Sequence, residues 1–345
     1  MTKKILITGG AGFIGHHMIS YLLKNTDWQI VSLDRLDYSG NLNRIEDSLN
    51  DFDKKERRRV RVVYHDLRAE INDILISDLG EFNYIVHMAA SSHVDRSILD
   101  PLGFVYDNVV ATCNILNFAR KLDNLERIIY FSTDEVFGPA PKNILYKERD
   151  RYNSTNPYSA TKAGGEELAV AFDNSYKLPV YITHTMNVFG ERQHPEKYIP
   201  MTIRKVRDGQ SVTVHSDETK KIPGSRHYIH AEDVSDGCLF LLLNESKISK
   251  IENDFGNAKC KKFNLVGPTE VNNLDLALKI AKSQNLELKY EMVDFHSSRP
   301  GHDLRYALDG NLMKNLGWTP KIDLDKRIYD VVNWSLKNDR WLKIK

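Results

Sequence analysis

The chain has little with which to hold a metal, a disulfide or a bilayer. Its three cysteines, Cys113, Cys238 and Cys260, are odd in number and form no CxxC pair, so they read as reduced thiols. The 12 histidines make no HxH or HExxH grouping, and no metal site is expected. No apolar run approaches the length of a membrane span, and the first residues run directly into a strand pattern without room for a signal peptide. Net charge is scarce as well. Lys+Arg 48 against Asp+Glu 47 leaves +1, which gives no overall field to draw nucleic acid or an anionic membrane. The basic run "KKERRRVR" (Lys54 to Arg61) reads as a solvated loop leading into a strand. The expectation is a cytoplasmic protein acting on a small molecule, with no nucleic-acid or membrane partner.

What is present is rhythm. "KILITG", "QIVSLD", "VRVVYHD", "YIVHMA" and "RIIYFST" are continuous apolar runs of the kind buried on both faces of a parallel sheet. Between them lie helix candidates, "FIGHHMISYLL" and "FVYDNVVATCNILNFARKL", and a further helix is predicted near Tyr158. Strand and helix in alternation predict an α/β fold, a Rossmann-type doubly wound parallel sheet. After Asn187 longer irregular segments and shorter helices predict a smaller mixed α/β lobe. The expected division is residues 1–186 for a dinucleotide-binding domain and 187–345 for a substrate lobe, with some segments interleaved.

Three short stretches carry chemistry. "ITGGAGFIG" sets Gly9, Gly12 and Gly15 between the first strand and the first helix, where a tight turn brings backbone and a helix N-terminus close to a pyrophosphate. Asp34 ends the second strand about 20 residues on, placed to accept from ribose hydroxyls and repel a 2′-phosphate, which favours NAD over NADP; Arg35 beside it weakens that preference. "STDEVFG" puts Ser132, Thr133, Asp134 and Glu135 at a strand end, where a mere turn would favour Gly, Asn or Pro. In "YSATK" a helix would place Tyr158 and Lys162 on one face, and an ammonium near a phenol favours the phenolate, a base near neutral pH.

Taken in order with "MAASSHVDRS", "NPYSATKAG", "NVFGERQHPEKYIP" and "RPGHDLRYALD", these stretches resemble the extended short-chain dehydrogenase/reductases, and within them the nucleoside-diphosphate-glucose 4,6-dehydratases. The resemblance implies NAD held by Gly9, Gly12, Phe13, Ile14, Gly15, Asp34, Asp66, Leu67, Ala89 and Ala90, together with Tyr158 and Lys162. It implies that Tyr158 takes the C4 hydroxyl proton while Thr133 holds that oxygen, that Glu135 removes the C5 proton, and that Asp134 protonates the departing C6 hydroxyl. It places Ser92, His93, Asn187, Lys197, Arg226, Asn264 and Arg299 around the sugar nucleotide. Related epimerases carry small residues where Asp134 and Glu135 stand, and decarboxylases typically keep only the Glu. An epimerase or decarboxylase on the same scaffold, or a non-catalytic NAD-binding sensor, are the competing readings. "LDRLDYSGNL" and "TNPYSATKAG" look closer to the UDP-glucose dehydratases that begin UDP-rhamnose synthesis in plants than to bacterial dTDP enzymes, so UDP is favoured narrowly over dTDP.

Three departures from the family pattern stand out: His16 and His17 after Gly15, Met186 where an Asn is common, and a longer segment from Val214 to Arg226. Val109, Cys113, Leu116, Leu168 and Val170 lie on the Phe104–Leu122 and Tyr158–Tyr176 helices. They either face the sheet or, as the resemblance implies, join a second copy in a four-helix homodimer contact.

Overall fold

The computed structural model describes residues 2–250, 260–294 and 305–344. Seven parallel strands form the main sheet: β1 (Lys4–Thr8), β2 (Gln29–Asp34), β3 (Val60–Tyr64), β4 (Tyr84–His87), β5 (Arg127–Thr133), β6 (Val180–Thr185) and β10 (Lys261–Leu265), in the order β10-β6-β5-β4-β1-β2-β3. Leu6 pairs with Val31 on one side and Ile85 on the other. Because side chains alternate along a strand, Ile5 and Ile7 enter one core with Met18 and Leu22 of α1 (Phe13–Asn25). Leu6 enters the opposite core with Leu33, Ile85, Ile115 and Ala169. Both faces are covered, which is why these strands read as unbroken apolar runs.

The helix expected from Phe104 starts earlier, at Pro101, with Asp100 capping Gly103 N and proline at the first turn. It runs to Ala119 through a π-helical turn at Tyr106–Val110. The helix carrying Tyr158 spans Pro157–Tyr176 and is capped by Asn156, which accepts from Ser159 N at 2.8 Å. "KKER" (Lys54–Arg57) is not a plain loop but one helical turn, because Asp53 and Glu56 complete a capping box.

β10 lies far along the chain yet forms the edge of the main sheet next to β6. The rest of the second half builds a three-stranded sheet from β7 (Asn187–Phe189), β9 (Ser225–His230) and β11 (Glu270–Asn272), and a two-stranded one from β8 (Val212–Ser216) and β12 (Tyr290–Asp294). Helices Tyr198–Arg207, Asn273–Ser283 and Leu324–Lys337 share an apolar core with the three-stranded sheet through Ile203, Leu276, Ile280 and Val331, and the first two pack Val206 and Ala281 against the two-stranded one. Among the described residues no helix is long and apolar enough to cross a membrane.

Candidate active site

Strand order reverses between β1 and β4, and the crevice at their carboxyl ends is where an open α/β sheet takes a ligand. A cavity of about 400 Å³ opens there, walled on one side by the glycine turn and on the other by Asn187, Lys197 and Tyr228 of the second lobe.

The glycines are required by close packing. Gly9 has φ +73, and a Cβ on it would lie 2.9 Å from the Ala89 backbone; one on Gly15 would lie 2.2 Å from the Gly9 carbonyl oxygen. Gly12 is the N-cap of α1 and offers no side-chain cap, leaving the helix amides to the cavity. Despite His16 and His17, α1 begins at Phe13 and both imidazoles are buried behind the turn.

Asp34 accepts from Ala11 N at 3.0 Å and Leu36 N at 2.8 Å, fastening the glycine turn to the end of β2. Burial raises its pKa, and the two amides work the other way. Arg35 is not free for a 2′-phosphate: its guanidinium bonds Asp37 at 2.7 Å and both carboxylate oxygens of Asp107. Asp66, Leu67, Ala89, Ala90, Phe13 and Ile14 all line the cavity.

At the end of β5 the chain tightens into a 3₁₀ turn, Asp134–Phe137, capped by Thr133, whose hydroxyl accepts from Glu135 N. Thr133, Asp134, Glu135, Tyr158 and Lys162 are thereby brought to one wall. Asn156, the cap of the Tyr158 helix, donates to Glu135 Oε2 at 3.1 Å, a contact that the sequence did not signal. Asp134 Oδ2 is buried with no hydrogen-bond partner among the described residues.

Burial pushes Asp134 up to about 6 and Glu135 up to about 7, the Asp134 charge adding to the rise at Glu135 and Arg226 opposing both. Both carboxyls are therefore moved toward neutrality and titrate as a coupled pair. For Tyr158, burial raises the phenol, with Glu135 adding to it. Lys162 is itself lowered to about 7 by burial and sits 4.3 Å over the Tyr130 ring. Tyr158 and Lys162 thus line one cavity, as their i, i+4 spacing predicts, and burial moves both toward their neutral forms.

Sequence reading missed Glu166, one turn beyond Lys162. It is fully buried and accepts from Ser132, Tyr152, His184 Nε2 (3.1 Å) and Lys262 Nζ (3.4 Å). Burial would raise this carboxylate, but His184 and the other donors hold it at about 2. The network clamps the strand end carrying Thr133 to the helix carrying Tyr158.

Among the residues placed around the sugar nucleotide, Ser92, His93, Asn187 and Lys197 line the cavity. Arg226 stacks 4.7 Å over Tyr306 and acts by its charge on both Asp134 and Glu135. Asn264 is a correction. It lies in β10 at 0% exposure, and its amide is used inside the fold by His184 Nδ1 and the carbonyls of Tyr146 and Asp309. Arg299 lies outside the described residues. The long segment after Val214 turns back through a short bridge between Ser216 and Pro223, and none of residues 217–225 lines the cavity. Among the described residues no cluster of His, Cys, Asp and Glu could hold a metal ion.

A doubly wound sheet, a glycine turn at its switch point and a Tyr-Lys pair facing it define an NAD-dependent short-chain dehydrogenase/reductase. The chain belongs, within the extended branch of that family, to the nucleoside-diphosphate-glucose 4,6-dehydratases: the family model described as GDP-mannose 4,6 dehydratase matches residues 6–331. It is 35% identical over 336 residues to the low-salt glycan biosynthesis protein of Haloferax volcanii, covering 97% of this chain and 99% of that one. It is 33% identical to an Arabidopsis thaliana trifunctional protein named UDP-glucose 4,6-dehydratase/UDP-4-keto-6-deoxy-D-glucose 3,5-epimerase/UDP-4-keto-L-rhamnose-reductase, covering 98% of this chain and 48% of that one. Among solved structures, dTDP-glucose 4,6-dehydratase from Streptomyces venezuelae, with NAD bound, matches with a TM-score of 0.82 and 30% identity over 99% of both chains. The protein is accordingly a sugar-nucleotide hydro-lyase that uses NAD, and the start of α1 at Gly12, without a side-chain cap and lining the cavity, fits the pyrophosphate of that cofactor.

Proposed function

We propose that the protein converts UDP-glucose to its 4-keto-6-deoxy derivative, a step of rhamnose-type deoxysugar synthesis. The observation that carries the dehydration is the adjacency of Asp134 and Glu135 beside Tyr158 in one cavity. Gly9, Gly12, Gly15 and Asp34 would hold NAD, which would supply the hydride acceptor for C4 and the hydride donor for C6. Tyr158 accepts the C4 hydroxyl proton, and Thr133 holds that oxygen. The 4-ketone acidifies C5–H, which Glu135 removes and later restores. Asp134 protonates the C6 hydroxyl as it leaves as water; its unpartnered Oδ2 supports that role. With both carboxyls moved toward neutrality by burial and coupled to each other, the pair supplies an acid and a base together. Ser92, His93, Asn187, Lys197 and Arg226 hold the sugar and diphosphate, Arg226 by its planar guanidinium.

The UDP assignment is supported by the name of the Arabidopsis relative and by "LDRLDYSGNL"; the Streptomyces neighbour is named for dTDP-glucose. Uracil and thymine differ by one methyl, a discrimination of only ~1–3 kcal/mol. Steady-state kinetics on both substrates test the assignment. UDP-glucose is expected to show the higher kcat/KM, and the reverse order would discard UDP while leaving the dehydratase intact.

We further propose a homodimer through the helices 101–119 and 157–176. Leu116 cannot contribute, being buried against the sheet at 1% exposure, and Leu168 and Val170 pack partly on the same core. The exposed Leu102, Val105 and Tyr106 extend instead toward the half-buried Val109 and Cys113 at helical spacing. An isologous contact there would brace the Tyr158 helix. Val105→Glu adds a charge at a site 39% exposed in the single chain, so folding is expected to survive while dimer mass in light scattering is lost. A wild-type protein that is monomeric at micromolar concentration would remove the idea.

A further inference from the structure

Arg44 lies on α2 (Leu42–Leu49), is 4% exposed, and lines the cavity. Its hydrogen bonds go to carbonyls of three separate segments: Nε to Arg192 at 3.0 Å, and Nη1 to Ala11 at 3.4 Å and to Ser39. One carbonyl belongs to the glycine turn, one to the loop after β2, and one to the second lobe. They fix the guanidinium plane without supplying charge. Among the described residues no carboxylate forms an ion pair with Arg44, and no protein group bonds its Nη2. Asp34 acts on it electrostatically, but the Asp34 oxygens are already committed to Ala11 N and Leu36 N. Burial pulls Arg44 down to about 10, Asp34 opposing and Arg192 adding to the fall. A buried cation without a counter-ion is costly, and this one stands beside the uncapped start of α1, where helix amides already favour an anion.

We propose that Arg44 supplies the counter-charge for the diphosphate of the bound dinucleotide, with Nη2 as the donor facing the cavity. The assignment rests on NAD lying at the glycine turn. It also ties cofactor retention to the second lobe, because Arg192 holds the same guanidinium through its carbonyl.

The dinucleotide released on denaturing purified wild type, Arg44→Gln and Arg44→Lys is counted. Calorimetry on protein freed of cofactor then gives affinities for NAD, ADP-ribose and adenosine. Arg44→Gln is expected to lose roughly 10- to 100-fold for NAD and ADP-ribose, as for one charge-assisted hydrogen bond, while adenosine binding is unchanged. Arg44→Lys keeps the charge and should lose less, again only toward the diphosphates. Equal losses for adenosine and ADP-ribose would make Arg44 a bolt between segments and overturn the proposal, as would no loss for either. Should Arg44→Gln fail to fold, the Arg44→Lys ladder decides by the same criterion. A wild type that binds none of the three ligands would overturn the NAD placement along with it.

Discussion

Mixed with UDP-glucose, the Glu135→Gln protein is expected to accumulate reduced nicotinamide and release almost no 4-keto product, whereas Tyr158→Phe should show no reduction at all. The reason is the division of labour along the β5 turn. Glu135 is held by Asn156 and faces the same cavity as Tyr158, so the amide preserves size and part of the hydrogen bonding while removing the base for C5. Oxidation at C4 calls on the phenol and the bound nicotinamide but not on Glu135, and continues. Losing one general acid or base costs roughly 100- to 10,000-fold, which is enough to make a transient species persist. Single-turnover absorbance in the near ultraviolet reads the nicotinamide, and alkaline absorbance reads the 4-keto sugar. If the two variants behave alike in both readouts, the separate roles of Glu135 and Tyr158 are wrong.

Gly15→Ala should purify without NAD and without activity. The added Cβ would stand 2.2 Å from Gly9 O and 2.6 Å from Gly10 Cα, both backbone atoms that cannot swing aside. The turn must open, which removes the cradle and costs on the order of 3 kcal/mol of stability, at the upper end of overpacking effects. Gly164→Ala is the matched control, since its Cβ would meet only Val109 Cγ2 at 3.4 Å and alanine favours the helix. It should retain cofactor and melt at or above the wild-type temperature. Dinucleotide content after denaturation, with thermal melts of both variants, checks this. A Gly15→Ala protein that keeps its NAD would show that the turn yields more than its packing indicates.

The first five strands, the glycine turn, and the placing of Thr133, Asp134 and Glu135 at a strand end and of Tyr158 and Lys162 on one helix were legible in the residues because each rests on local pattern. Apolar runs mark strands buried on both faces, glycine marks a turn with no room for Cβ, and i, i+4 spacing marks one helix face. What the residues could not show depends on groups far apart in the chain. Arg35 beside Asp34 reads as a possible 2′-phosphate ligand until Asp107 arrives from another helix and occupies it. Asn264 reads as a ligand residue until β10 joins the main sheet beside β6 and buries its amide against His184. Glu166 reads as an ordinary helical acid until Ser132, Tyr152 and His184 converge on it. Nor does spacing reveal desolvation, which sets the pKa values of Tyr158, Lys162 and the Asp134–Glu135 pair more strongly than their neighbours do. Local sequence therefore determined most of the elements and which polar side chains stand at the end of β5 and on the Tyr158 helix. Tertiary packing alone decided which charges are paired, which are buried, and which are left facing the cavity, because burial and long-range pairing exist only once distant segments meet.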